Sequence, residues 1–223
     1  MKLKICGMKY NTQEVAALQP DYLGFIFYDK SPRDFEGLAI PEIPEDIKKV
    51  GVFVDADIAF AKAHIEKYKL DVVQLHGNES PIYVTMLRNF LIERSRDLNE
   101  SEPQKTKVWK VFSIKNTFDF ERLKPYEGLV DAFLFDTKGK EKGGNGYTFD
   151  WSVLNDYSSK TPIVLSGGIG IDEMSSLKEI LATDLPIFAL DVNSKFETEP
   201  GLKDTKKLEN FKQALAEITS LGS

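Results

Sequence analysis

The sequence predicts an α/β fold, a (β/α)8 TIM barrel of the phosphate-binding type built as one domain over residues 1–223. Three observations predict it. Eight apolar, strand-like segments recur, rich in Val, Ile, Leu and Phe and mostly without polar alternation, as parallel strands covered on both faces should be. Segments with helical spacing lie between several of them. Two late runs, LSGGI from Leu165 and ALDVNSKFE from Ala189, follow strand-like stretches and lead towards helices. Glycine backbone N–H groups and the positive end of a helix dipole can hold an anion there. Adjacent βα loops of this kind late in a barrel are its usual phosphate site, so a phosphorylated small molecule is the expected ligand.

The strand segments, in order, are LKIC from Leu3, YLGFIF from Tyr22, VGVFV from Val50 and VVQLHG from Val72. VWKVFSI from Val108, AFLFDT from Ala132, PIVLSGG from Pro162 and PIFALDV from Pro186 complete the set. After the third, DIAFAKAHIEKYKL sets Ile58, Ala61, Ile65 and Tyr68 on one helical face, with Asp57 as N-cap. His64 belongs to this surface helix and is assigned no function. After the fourth, SPIYVTMLRNFLIE has Ser80 at the cap and Pro81 at the first helical position. IDEMSSLKEIL from Ile171 and DTKKLENFKQALAEI from Asp204 supply the seventh and eighth helices, the last with an apolar stripe of Leu208, Phe211 and Leu215. The link from Asp34 to Lys48 contains Pro41 and Pro44 and reads as loop with at most a turn of helix. Glu93 to Lys107 reads as a polar insert too poor in apolar side chains to order itself, a mobile excursion before the fifth strand. Lys138 to Trp151, with its glycines and lysines, reads as a loop over the barrel mouth. A chain of 223 residues is somewhat short for a full barrel, so trimmed helices are expected.

Composition removes several function classes. With 29 basic and 35 acidic side chains the net charge is -6, which gives no broad positive field for nucleic acid. An anionic ligand needs a local, prebuilt site. MKLKICGMK enters a strand pattern at once without the apolar core of a signal peptide, and no stretch reaches membrane-spanning length. A cytoplasmic protein with no membrane partner is expected. One cysteine excludes an internal disulfide framework, and two histidines with it argue against a zinc site.

Active groups of such barrels sit at the C-terminal strand ends and on the loops that follow. Those positions here hold Cys6, Arg33, Gln74, His76, Asp136, Gly167, Gly168, Asp191 and Ser194. A thiolate and a carboxylic acid on opposite sides of one pocket are the pair needed to move protons on and off a sugar phosphate. His76 and Gln74 read as structural or lining groups beside the pocket, and Asp191 as a supporting group or loop anchor. The lysines from Lys138 to Lys142 read as a solvated loop face.

KICGM at Lys4, SPR at Ser31, QLHG at Gln74, FDT at Phe135, GGNGYTFDW at Gly143, LSGGI at Leu165 and DVNSKFETEPGLKD at Asp191 occur in this order along the chain. Together they resemble the signature blocks of the phosphoribosylanthranilate isomerases of tryptophan biosynthesis. The resemblance covers almost the whole chain except the 93–107 insert. It implies a cofactor-independent Amadori rearrangement of N-(5'-phosphoribosyl)anthranilate, an aldose-ketose isomerisation. Asp136 would be the general acid that opens the ribose ring and Cys6 the base that removes the C2 proton. Arg33 would fork onto the anthranilate carboxylate. Gly167, Gly168 and the Ser194 region would hold phosphate through backbone N–H groups. A monomer is the expected assembly. Three positions depart from the family pattern: Lys195 where many members have glycine, Gly170 where asparagine is frequent, and GGNG for the more usual GGTG.

Both proton-transfer groups must work against ordinary values, roughly 3.9 for Asp and 8.5 for Cys. The expectation is a pocket that raises Asp136 by desolvation and lowers Cys6 through a nearby positive group or dipole. Two other readings share the clamp. An indole-glycerol-phosphate synthase would need a lysine acid at a strand end, and the sequence reading finds only Lys110, inside the fifth strand. A non-catalytic sugar-phosphate-binding barrel would have no reason to keep Cys6 with Asp136.

Overall fold

The computed structural model describes residues 1–97, 106–137 and 150–220. All eight expected strands form. They are β1 (Lys2–Ile5), β2 (Tyr22–Phe27), β3 (Lys48–Phe53), β4 (Val72–Leu75), β5 (Lys107–Ile114), β6 (Ala132–Thr137), β7 (Ile163–Leu165) and β8 (Ile187–Val192). They pair parallel in chain order, and β8 returns to β1 to close the barrel, with Lys4 in register with Asp191.

Side-chain alternation divides these strands between two cores. Leu3, Ile5, Phe25, Leu75, Phe133 and Phe135 point outward under the helical layer. Tyr22, Val50, Val52, Trp109, Leu134 and Ala189 fill the interior, where Cys6 joins them. Tyr22 and Trp109 meet edge to face there, ring centroids 5.1 Å apart. The interior is thus packed below, and only the next inward residues up each strand can line an open site.

Among the described residues five helices surround the strands: α1 (Thr12–Ala16), α2 (Ile58–Tyr68), α3 (Pro81–Asp97), α4 (Met174–Leu181) and α5 (Thr205–Ser220). The caps follow the sequence. Asp57 accepts from the Ala59 amide at the start of α2 at 2.7 Å, and Ser80 Oγ accepts from the Tyr83 amide at the start of α3 at 3.2 Å. The expected trimming is present. No helix separates β2 from β3, and single 3-10 turns, Phe120–Tyr126 and Trp151–Asp156, stand after β5 and β6 among the described residues. No described helix is long and apolar enough to cross a membrane.

Three expectations need correction. The polar stretch after Glu93 is not loop from its start, because α3 continues to Asp97 and Thr106 is already buried, donating to the Leu70 carbonyl at 3.0 Å. The middle of that stretch, 98–105, and the lysine- and glycine-rich 138–149 lie outside the described residues. His64 is not a surface residue. It is buried among Phe27, Phe53, Phe60 and Tyr68 and pairs with Glu36 at 2.5 Å. Finally, β8 does not run straight to a helix. A 3-10 turn (Ser194–Phe196) and a two-stranded hairpin, β9 (Glu197–Glu199) and β10 (Leu202–Lys203), come between.

Candidate active site

Counting two residues up from the packed interior layer gives the site floor. Above Val72 stands Gln74, above Leu134 stands Asp136, above Val164 stands Ser166 and above Ala189 stands Asp191. On β1 the inward positions are Lys4 and Cys6. Polar side chains here are buried and largely paired with one another, which is how a barrel carries charge in its core, while Gln74 Oε1 has no hydrogen-bond partner among the described residues.

Lys4 is fully buried, and its Nζ donates to Asp191 Oδ1 at 2.8 Å. Its charge also acts on the Cys6 sulfur and favours the thiolate. Gly24 on β2 makes this possible. A Cβ there would stand 2.9 Å from Cys6 Sγ and 3.2 Å from Lys4 Cε. Burial opposes the charge of Lys4, yet Asp191 and the Cys6 sulfur outweigh it and hold the ammonium above its ordinary value. The expected positive partner of Cys6 therefore exists, but its expected effect does not prevail. Burial pushes the Cys6 thiol up, and the pull of Lys4 and of the more distant Lys203 does not overcome it. Lys4, like Lys110, lies inside its strand. It sits one residue from the end of β1.

Across the mouth, His76 follows β4 and places Nε2 3.4 Å from Asp136 Oδ2. Gln74 Nε2 is 3.5 Å from His76 Nδ1. The loop that carries His76 is held from outside the barrel. Lys110 Nζ donates to the carbonyls on either side of His76, Leu75 at 3.3 Å and Gly77 at 2.9 Å, and pairs with the buried Glu79 at 3.2 Å. Glu79 in turn accepts from the amides of Gly77 and Asp55, both at 3.0 Å. Asp191 lies within electrostatic reach of both Asp136 and His76, so Cys6, Lys4, Asp191, His76 and Asp136 form one cluster.

Arg33 is brought in from the loop after β2. Its Nε and Nη2 fork onto Glu197 of the hairpin, with contacts of 2.9, 3.0 and 2.6 Å. Glu197 Oε1 also accepts from Lys203 Nζ at 2.7 Å and from the Gly201 amide at 3.1 Å. Lys203 is tied to Asn193 Oδ1 at 2.7 Å. Of the sequence-predicted residues, Arg33 is the one whose guanidinium already has a carboxylate partner inside the protein.

The residues expected to hold phosphate follow β7 and β8. Gly167 and Gly168 take φ of 89° and 67°, a left-handed pair that side chains would strain. Ser194 opens the 3-10 turn after β8. Lys195 crosses from that turn to Glu173, Nζ to Oε1 2.5 Å, over Gly170.

With this geometry in view, the comparisons with known proteins decide the kinship. Residues 3–214 match the family model described as N-(5'phosphoribosyl)anthranilate (PRA) isomerase. This chain belongs to that isomerase family. An N-(5'-phosphoribosyl)anthranilate isomerase of Parabacteroides distasonis is 42% identical, with 96% of this chain and 93% of the relative covered. One from Brucella canis is 36% identical, covering 99% and 96%. The crystal structure of phosphoribosyl anthranilate isomerase from Thermotoga maritima superposes with a TM-score of 0.77 at 30% identity, covering 96% of this chain and 98% of that one. Another solved family member, in complex with reduced 1-(o-carboxyphenylamino)-1-deoxyribulose 5-phosphate, gives 0.73 at 27% identity, covering 96% and 97%. Within the isomerase fold of this chain, sequence reading missed Lys4, Gly24, Glu79 and Glu197. A lysine two residues before Cys6 on an alternating strand was the one available signal.

Proposed function

We propose that this chain is a phosphoribosylanthranilate isomerase that converts N-(5'-phosphoribosyl)anthranilate into 1-(2-carboxyphenylamino)-1-deoxyribulose 5-phosphate in tryptophan biosynthesis. Family membership supports the activity. The observation that carries the mechanism is the buried cluster joining Cys6 to Asp136 through Lys4, Asp191 and His76.

In this reading Asp136 gives its proton to the ribose ring oxygen as the C1–O bond breaks, leaving an iminium conjugated with the anthranilate nitrogen. Cys6, as thiolate, then takes the C2 proton. The electron pair moves into the C1–C2 bond, the iminium nitrogen is neutralised, and the resulting enolamine tautomerises to the ketone. The cationic substrate nitrogen is the electron sink, so the mechanism draws on no cofactor. The reaction is an intramolecular redox exchange in which C1 is reduced and C2 oxidised.

Lys4 supplies the positive charge that a buried thiolate needs, and Asp191 holds Lys4 in place. Glu197 occupies the Nε and Nη2 edge of Arg33, which leaves the Nη1 side to fork towards the anthranilate carboxylate. Gly167, Gly168 and Ser194 hold the phosphate, a non-reacting group whose binding orients the reacting carbons. Gln74 and His76 line the side of Asp136.

A cytoplasmic monomer completes the reading. Sedimentation of the purified chain tests the assembly. The activity is tested by the loss of phosphoribosylanthranilate fluorescence on adding purified protein, repeated with Cys6→Ala. Consumption by the wild type and its loss in Cys6→Ala support the reading. Tight binding of a reduced product analogue without conversion, in protein with a reduced thiol, would favour the sugar-phosphate-binding barrel instead.

A further inference from the structure

Gly170 and Lys195, on the segments that follow β7 and β8, touch each other. An ideal Cβ on Gly170 would lie 2.7 Å from Lys195 Cδ and 3.1 Å from Glu173 Oε2. Any side chain at 170 would therefore displace the Lys195 stem or the Glu173 carboxylate in this arrangement. Gly170 makes the channel through which the Lys195 stem reaches Glu173.

Glu173 sits between the glycine turn and α4, and its side chain is only 17% exposed. Its Oε1 takes Lys195 Nζ at 2.5 Å. Its Oε2 is buried and has no hydrogen-bond partner among the described residues. Glu173 follows the Gly167–Gly168 turn in the same loop, and its charge would repel a dianion bound at that turn unless a cation accompanies it. Lys195 is that cation. It follows Ser194 directly, is 26% exposed, and spends one of three ammonium donors on Glu173.

We propose that Lys195 is a specificity-determining residue of the phosphate clamp in this chain: threaded past Gly170, it cancels the Glu173 charge and gives the phosphate a side-chain donor beside the backbone amides. The proposal rests on the isomerase reading of the same site. It differs from a structural salt bridge in one respect. A structural pair loses function when either partner is removed, whereas here the partners have opposite effects on the anion.

The test measures KM and kcat for phosphoribosylanthranilate, and competitive inhibition by inorganic phosphate, in wild type, Lys195→Met, Glu173→Gln and the double variant. Lys195→Met should weaken both KM and the phosphate inhibition constant on the order of tenfold, the size of a charge-assisted contact, with the loss falling mainly on KM. Glu173→Gln should tighten phosphate inhibition several-fold. Lys195→Arg should restore most of the loss. Parallel weakening in Lys195→Met and Glu173→Gln, or unchanged phosphate inhibition in Lys195→Met, would overturn the proposal. Circular dichroism of each variant separates these outcomes from loss of fold. A wild type that binds phosphate but does not isomerise would sink the isomerase reading and leave the clamp measurement interpretable.

Discussion

Lys4 Nζ stands 2.8 Å from Asp191 Oδ1 across the seam where the first and eighth strands close the barrel. The pair lies under Cys6, where Lys4 opposes and Asp191 reinforces the rise that burial imposes on the thiol. Because burial raises the Cys6 pKa, the base is in its active form only as pH climbs. The kcat/KM profile should rise on its acid side with a midpoint above the ordinary thiol value of about 8.5. Lys4→Met should move that limb further to alkaline pH and slow iodoacetamide alkylation of Cys6 at fixed neutral pH, while Lys4→Arg should move both less. A limb that stays in place in Lys4→Met would remove Lys4 from the control of Cys6.

Gly24 is the steric counterpart of that electrostatic arrangement. Adding a methyl group brings a carbon within 3.1 Å of the Cys6 Cα, a backbone atom that cannot simply rotate away. Gly24→Ala should cost about 1–3 kcal/mol of stability by overpacking. The displacement of Cys6 should lower kcat on the order of 10²-fold, in keeping with the sensitivity of proton transfer to placement. Thermal melting and steady-state kinetics on the same preparation check both. Unchanged kcat would show that the sulfur has room to move.

Glu197 ties the hairpin to Arg33 and Lys203. Burial works against its ionisation, but Arg33 and Lys203 more than offset this and hold its carboxyl below the usual range. A depressed carboxyl stabilises the fold above its unfolded value, about 4.3, and the contribution is lost as pH falls through the folded value. Glu197→Gln should therefore lower the melting temperature near neutral pH and flatten its decline through the acid range. It should also raise KM, because Arg33 loses the partner that orients its fork. A KM unchanged in Glu197→Gln would separate Arg33 from that partner.

The barrel was legible because parallel strands buried on both faces leave continuous apolar runs, and VWKVFSI or PIFALDV admits few other readings. The site was legible only where chemistry sits at a strand end. Cys6, His76 and Asp136 were found in this way, and the structure brings them into one cluster. Lys4 was missed because in a strand of four residues it resembles a solvent-facing lysine. Only closure of the barrel turns it inward. Glu197 and Arg33 are 164 residues apart, and local pattern carries no trace of such a pairing. His64 was misplaced for a related reason. Its helix lies on the surface, but the face it occupies packs against Phe27 and Phe53. The five-residue α1 has too few residues to show a period.

The roles of His76 and Asp136 can be separated, although they stand 3.4 Å apart. If Asp136 carries the proton to the ring oxygen, Asp136→Asn removes the transferable proton and should cost on the order of 10² to 10⁴ in kcat. His76→Asn keeps a polar group near the same carboxyl and removes only the imidazole, so its cost should be roughly tenfold or less. The double variant should be no slower than Asp136→Asn alone, because His76 then has no acid to assist. Single-turnover fluorescence decay measures all three. If the two single losses multiply instead, His76 acts on the substrate independently and belongs among the proton-transfer groups. If His76→Asn alone equals Asp136→Asn, the imidazole is itself essential to the acid step, and the Lys110 and Glu79 anchor that fixes its loop becomes part of the catalytic apparatus by extension.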